Sequence, residues 1–131
     1  MGKPGPVRDF LEQVKGWGRN AKDISTIILV GSYARGEARP DSDIDLVIIA
    51  KKPQRFILDL SWLDYFGEPL KNQHEDWGLV QSLRVWYESG LEIEFGFTSN
   101  EWLAQPLDEG TRKVLDDGYR FIIDKENFSS L

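Results

Sequence analysis

The segment that most constrains this chain is Ile24–Val30, a run rich in β-branched apolar residues that stops at Gly31. Such a run predicts a buried strand. Other elements follow from spacing around it. Val7, Phe10, Leu11, Val14 and Trp17 recur at helical intervals behind Pro6 and predict an amphipathic helix over 6–19. A second helix is expected at Ser32–Arg35. Ile44, Leu46 and Ile48 alternate with Asp43, Asp45 and Val47, which predicts a strand over 43–50.

Phe56, Leu60 and Leu63 share one helical face between Pro53 and Gly67, so a helix is expected over 54–66. Residues 67–77 are polar and read as a loop. Two strand-like runs, 79–87 and 91–97, flank Glu88, Ser89 and Gly90, a short glycine-containing hairpin connection. Residues 99–104 are long enough for one helical turn. A helix over 106–117 ends at Gly118, and 119–123 forms a short closing strand or extended tail. The order predicts an α/β (α+β) fold with a mixed sheet and helices packed mainly on one face. The 131 residues fit one domain, 1–131, with 1–5 as a loose end.

Composition narrows the function. The net charge of −6 lacks the broad basic footprint of a nucleic-acid binder. No apolar run reaches the ~18 residues needed to span a membrane, and the first residues lack the apolar stretch of a signal peptide. Cysteine is absent, which excludes disulfides and thiolate metal ligands and suits a cytoplasmic protein.

The chemistry-bearing segment is 31–46. Gly31 and Ser32 stand where a buried strand stops and a helix starts. Unpaired backbone N–H groups there can receive phosphate oxygens, and Gly31 lets a phosphate approach the backbone closely. The plainer reading is a strand end with a helix cap. Asp43 and Asp45, two apart on a strand, point to one face. Their mutual repulsion is relieved by a divalent cation, with magnesium suited to such hard oxygen ligands. The plainer reading is two solvated acids at a strand start. Removing either charge, by Asp43→Asn or Asp45→Asn, is expected to relieve that repulsion.

A third carboxylate is offered by 91–95. Ile93, Phe95 and Phe97 share one face, and Glu92 and Glu94 share the other. Arg35 and Arg39 either neutralise phosphate charge or pair with Glu37 or Asp41. Trp77, Trp86 and Tyr87 suit stacking on a ring, or core and edge packing. His74, the only histidine, lies in the polar stretch and is expected to be solvent-exposed without a role.

Gly31, Ser32, ten intervening residues and then Asp43, Ile44 and Asp45 resemble the nucleotidyltransferase superfamily that includes DNA polymerase beta. Ala34, Arg35, Gly36 and Ser42 resemble its small bacterial and archaeal members, and Ile93, Glu94 and Phe95 resemble its third carboxylate position. The resemblance implies transfer of a nucleoside monophosphate from a nucleoside triphosphate, ATP by default, to a hydroxyl with release of pyrophosphate. It implies that Asp43 and Asp45 bind two Mg2+ ions and that Glu94, favoured over Glu92, completes one metal site and helps activate the acceptor. Gly31 and Ser32 then hold the triphosphate, with Arg35 beside them. The acceptor is a small molecule or a protein side chain. Two further readings stay open. One is an antitoxin of a two-gene pair that adenylylates or binds a helical HEPN-type partner. The other is a non-catalytic binding module.

Overall fold

The computed structural model describes residues 5–39, 42–104 and 107–128. The chain order is α1 (Pro6–Asn20), β1 (Ile24–Val30), α2 (Ser32–Arg35), β2 (Ile44–Ala50), α3 (Arg55–Leu58), a 3-10 turn at Ser61–Phe66, β3 (Pro69–Trp77), β4 (Val80–Tyr87), β5 (Glu92–Thr98), a 3-10 turn at Asn100–Leu103, α4 (Glu109–Asp116) and β6 (Tyr119–Asp124). The strands form one sheet in the order β3-β4-β5-β2-β1-β6. Only β2 and β5 run parallel among the described residues; the other neighbours are antiparallel.

The two faces of the sheet differ. Ile27, Leu29, Ile44, Leu46, Ile48, Leu83, Val85, Ile93, Phe95 and Phe97 project to one side. There they are covered by Phe10 and Val14 of α1, by Phe56 of α3 and by Leu63 and Phe66 of the first 3-10 turn. Aromatic rings bind this layer: Phe56 stacks on Phe97 with centroids 4.8 Å apart, and Trp62 meets Phe95 edge-on at 4.8 Å. Ile28, Val30, Val47 and Ile49 project to the other side, under Trp102 and the partly buried Val114 and Leu115 of α4. This second cover is small and leaves part of the face open. Strict alternation along β2 therefore decides the site: even-numbered residues enter the large core, and Asp43 and Asp45 fall on the thinly covered face.

Three expectations need correction. The helix expected over 54–66 is two pieces. Asp59 adopts an extended conformation (φ −124°, ψ 109°), and its carboxylate accepts a hydrogen bond from the Ser61 amide at 3.0 Å, which starts a new turn. The Trp62 indole N–H then takes the freed Phe56 carbonyl at 2.8 Å. The expected loop at 67–77 is instead largely β3. It is an edge strand paired with β4 from Pro69 to Trp77, and with most of its side chains exposed it has no apolar face to betray a strand. The last helix begins at Glu109, where the Asp108 carboxylate accepts from the Gly110 and Thr111 amides at 3.0 and 3.4 Å. The expected start at Pro106 lies outside the described residues, as do residues 1–4 of the loose end. Among the described residues no helix is long and apolar enough to cross a membrane.

Candidate active site

β1 ends where β2 and β5 begin, and this junction gathers the acids. Val30 pairs with Asp45, and Asp45 stands directly opposite Glu94 in the parallel β2–β5 pair. Asp43, one residue before β2, lies on the same face. One carboxylate oxygen from each of Asp43, Asp45 and Glu94 lies within 4.8 Å of the others. Three hard oxygen donors at this spacing fit a divalent cation.

Electrostatics agree with that donor set. The Asp45 carboxyl is pushed up to about 8 by burial first, then by the Asp43 charge and by hydrogen bonding and charge from Glu94. Among the described residues no salt bridge reaches Asp45. Gly31 explains part of the crowding. Its φ of +78° is a conformation that favours glycine, and a Cβ there would stand 2.5 Å from Asp45 Oδ2. The turn that follows, α2, is a single helical turn, with the Gly31 carbonyl accepting from the Ala34 and Arg35 amides. The Ser32 hydroxyl has no hydrogen-bond partner among the described residues.

Glu94 is held from three sides. Ser82 Oγ donates to its Oε2 at 3.0 Å, the Trp77 indole N–H to the same oxygen at 3.2 Å, and Arg84 Nη2 to its Oε1 at 2.9 Å. Glu92 also faces this side, and its Oε2 accepts from Arg84 Nη1 at 2.7 Å. Thus Glu94 joins the trio with Asp43 and Asp45, while Glu92 sits beside it.

A cleft of about 300 Å3 opens against Asp45 and Glu94. Its apolar side is Val30, Val47, Val80, Trp102 and Val114, and Gly96 forms part of its floor. The absent side chain at Gly96 matters because a Cβ there would press Val80 at 2.8 Å. Arg35 reaches the rim but also pairs with Glu37 at 2.9 Å, an exposed contact of small worth. Arg39 makes no salt bridge among the described residues, while its amide donates to Ser42 Oγ. Its pairing with Asp41 lies outside them.

Of the three aromatic residues, Trp77 is 63% exposed and lines the cleft, Tyr87 is buried and donates to the Leu63 carbonyl, and Trp86 carries the Lys71 ammonium over its ring. His74 is exposed on β3 and bonds Gln81 at 2.8 Å.

Spacing alone did not reveal Arg84, Ser82 or Glu75. Arg84 bonds Asp43 as well as Glu92 and Glu94, and reaches Glu75 at 3.4 Å. The predicted 79–87/91–97 hairpin contained the signal: extending its register from the turn places Arg84 opposite Glu94. Glu75 had no such signal, because its strand read as a loop.

The mixed sheet thus carries an acidic trio beside a glycine turn. The model of the nucleotidyltransferase domain matches residues 8–94, and the chain belongs to that family. A protein of Methanocaldococcus jannaschii whose provisional name is protein adenylyltransferase MJ1305 is 30% identical over 129 residues, covering 92% of this chain and 71% of that protein. A second protein of the same organism and provisional name, MJ0604, is 35% identical over 60 residues, 46% of this chain and 58% of that one. Among solved structures, an aminoglycoside 6-adenyltransferase from Bacillus subtilis superposes with a TM-score of 0.56 at 15% identity, over 72% of this chain. The chain spans only 36% of that enzyme, so the likeness is one of fold.

Proposed function

We propose that the protein transfers a nucleoside monophosphate, AMP from ATP in the first instance, to a hydroxyl acceptor and releases pyrophosphate. The observation that carries this reading is the convergence of Asp43, Asp45 and Glu94 within 4.8 Å of one another beside the Gly31 turn. Asp43 and Asp45 would hold two Mg2+ ions and Glu94 one of them; when bound, such ions stabilise charge on the attacking and leaving oxygens. In the transfer the acceptor oxygen bonds to the α-phosphorus as that phosphorus loses its bond to pyrophosphate. The acceptor proton passes to a carboxylate, and Glu94 is the residue assigned to it. No protein nucleophile is needed, because positioning and charge supply the acceleration.

The chain's own groups divide the remaining work. Gly31 offers its backbone to the triphosphate, Ser32 an unengaged hydroxyl, and Arg35 a cation at the rim of the cleft. The valines and Trp102 suit the apolar faces of a base, since ligand sites pair an apolar lining with a few placed polar groups. The provisional names of the M. jannaschii relatives favour a protein side-chain hydroxyl as acceptor. A helical HEPN-type protein is one such acceptor. An ATP-using chain without cysteine suits the cytoplasm.

The test is incubation with Mg2+ and α-labelled ATP, offering cell proteins, a helical partner protein and aminoglycosides in separate reactions. Label on a protein hydroxyl supports the proposal as stated. Label on an aminoglycoside keeps the transfer and replaces the acceptor. Partner binding without turnover of any nucleotide leaves only a binding module and ends the proposal.

A further inference from the structure

Arg84 stands where four acids converge. Its Nη1 donates to Asp43 Oδ2 at 2.8 Å and to Glu92 Oε2 at 2.7 Å, its Nη2 to Glu94 Oε1 at 2.9 Å, and its Nε to Glu75 Oε2 at 3.4 Å. The planar guanidinium fork suits several carboxylates at once in a way that the lysine ammonium does not. Backbone pairing fixes its place, because Arg84 is opposite Glu94 across β4–β5. Burial works against its charge, but the hydrogen bonds it donates to Asp43 and Glu92 and the Glu94 charge outweigh that, so the guanidinium is held more firmly protonated than usual. Among the described residues no other cation pairs with these acids.

Two members of the proposed metal trio, Asp43 and Glu94, are therefore already bonded to a positive group. The other two acids, Glu75 and Glu92, lie outside the trio. Glu75 also has a buried oxygen, Oε1, without a hydrogen-bond partner among the described residues. Such an atom is costly to leave unmatched, and it gives a guanidinium displaced from Asp43 and Glu94 a further acceptor close by.

We propose that Arg84 is the internal counter-cation of the site: it bonds Asp43 and Glu94 when no metal is present and withdraws onto Glu75 and Glu92 when a divalent cation takes them. The inference rests on the proposed cation site. Arg84 is then a positioning residue. It keeps the acids together before metal arrives, orients Glu94 from the neighbouring strand, and competes with the ion that the site needs. A merely structural arginine would show the opposite sign on removal, since a loosened site binds metal more weakly.

Mn2+ binding, followed by calorimetry and by electron paramagnetic resonance, separates these cases. Arg84→Gln is expected to bind Mn2+ about tenfold more tightly than the unaltered chain, because a nearby positive charge is gone. It should also melt at a lower temperature without metal and gain more from added Mg2+. Arg84→Lys, which keeps the charge but loses the fork, should fall between the two. Equal or weaker Mn2+ binding by Arg84→Gln overturns the inference while leaving the cation site standing.

A second measurement needs no altered fold. In the unaltered protein the guanidinium 15N–1H resonances of Arg84, assigned by their loss in Arg84→Lys, should shift when Mg2+ is added. Resonances that stay in place at saturating Mg2+ overturn the inference. Absence of Mn2+ binding by the unaltered chain overturns both the cation site and the role given to Arg84.

Discussion

Asp45 and Glu94 face each other across β2 and β5, the only parallel strand pair among the described residues, so backbone register holds two acids side by side. Side chains opposite one another on a common face lie close, and here the arrangement works against the charge on Asp45. The energetic consequence concentrates on Asp45, which burial and its neighbours keep protonated up to about pH 8.

The Asp45→Asn variant should be inactive and more stable than the parent near and above neutral pH. Asp43→Asn should be inactive without that gain. The two differ because Asp43 is bonded to Arg84 at 2.8 Å, so neutralising it removes a partner from a guanidinium, whereas Asp45 makes no such ion pair among the described residues. Relief of repulsion worth about 1 kcal/mol would raise Tm by about 4 °C for a domain of this size. Thermal denaturation at pH 8.5 without metal checks this. Equal Tm changes in the two variants would show that the acids are not placed as described.

The pH dependence follows with a definite sign. Asp45 ordinarily ionises at 3.8, whereas in the folded chain it does so at about 8. Between those values the folded state holds a proton that the unfolded state has lost. This group therefore makes the metal-free protein less stable as pH rises from about 4 to about 8, with no further change above that. Urea melts of the parent and of Asp45→Asn across this range should diverge with rising pH and then run parallel.

Divalent cations displace that same proton. Mn2+ binding should strengthen with pH up to about 8 and level off above it, releasing close to one proton per site at pH 6.5. Calorimetry in buffers of different ionisation enthalpy measures the release. A pH-independent affinity between 6 and 8 would contradict the buried, protonated Asp45.

Gly31→Ala tests the turn. The added methyl meets Asp45 Oδ2 at 2.5 Å, and the φ of +78° costs a side-chain-bearing residue about 1–2 kcal/mol. Tm should fall and transfer should drop to background together. Full activity would mean that the approach of Gly31 to Asp45 plays no part in the site.

Glu94→Ala should cut the rate about 100-fold or more, in the range for loss of a proton-transferring group. Glu92→Ala, which loosens only one of four bonds to Arg84, should lose less than about tenfold. Steady-state kinetics with saturating ATP distinguishes them, and equal mild losses would take the third ligand away from β5.

How much could be read beforehand differs from residue to residue. The shared face of Asp43 and Asp45, and that of Glu92 and Glu94, was legible because each pair alternates with core residues, and a period of two assigns faces without any knowledge of neighbours; the preference for Glu94 over Glu92 came from the family resemblance. Ile44, Leu46 and Ile48 did enter the large core. The strand β3 was invisible for the converse reason. Its backbone pairs with β4 along its whole length, yet most of its side chains face water, and hydrogen bonding leaves no mark in a sequence of lysine, asparagine, glutamine and histidine. Glu75 was lost with it. The facing of Arg84 and Glu94 lay within the register of the predicted hairpin, whereas the bonds of Arg84 to Asp43 in a loop and to Glu75 on β3 were hidden, because only the assembled strands bring them to one guanidinium. The break in the 54–66 helix turned on one Asp59 carboxylate capturing the Ser61 amide, a local competition that periodicity overlooks.

The parallel pairing of β2 with β5 has one more effect. Strands that run side by side in the same direction need a long return path, and here that path contains α3, the 3-10 turn and the whole β3–β4 hairpin. Asp45 and Glu94 therefore meet only after this excursion has been threaded and packed. A growing polypeptide that has emerged no further than Tyr87 holds Asp43, Asp45 and Arg84 but not Glu94, and the acidic trio comes into being only with the completed sheet.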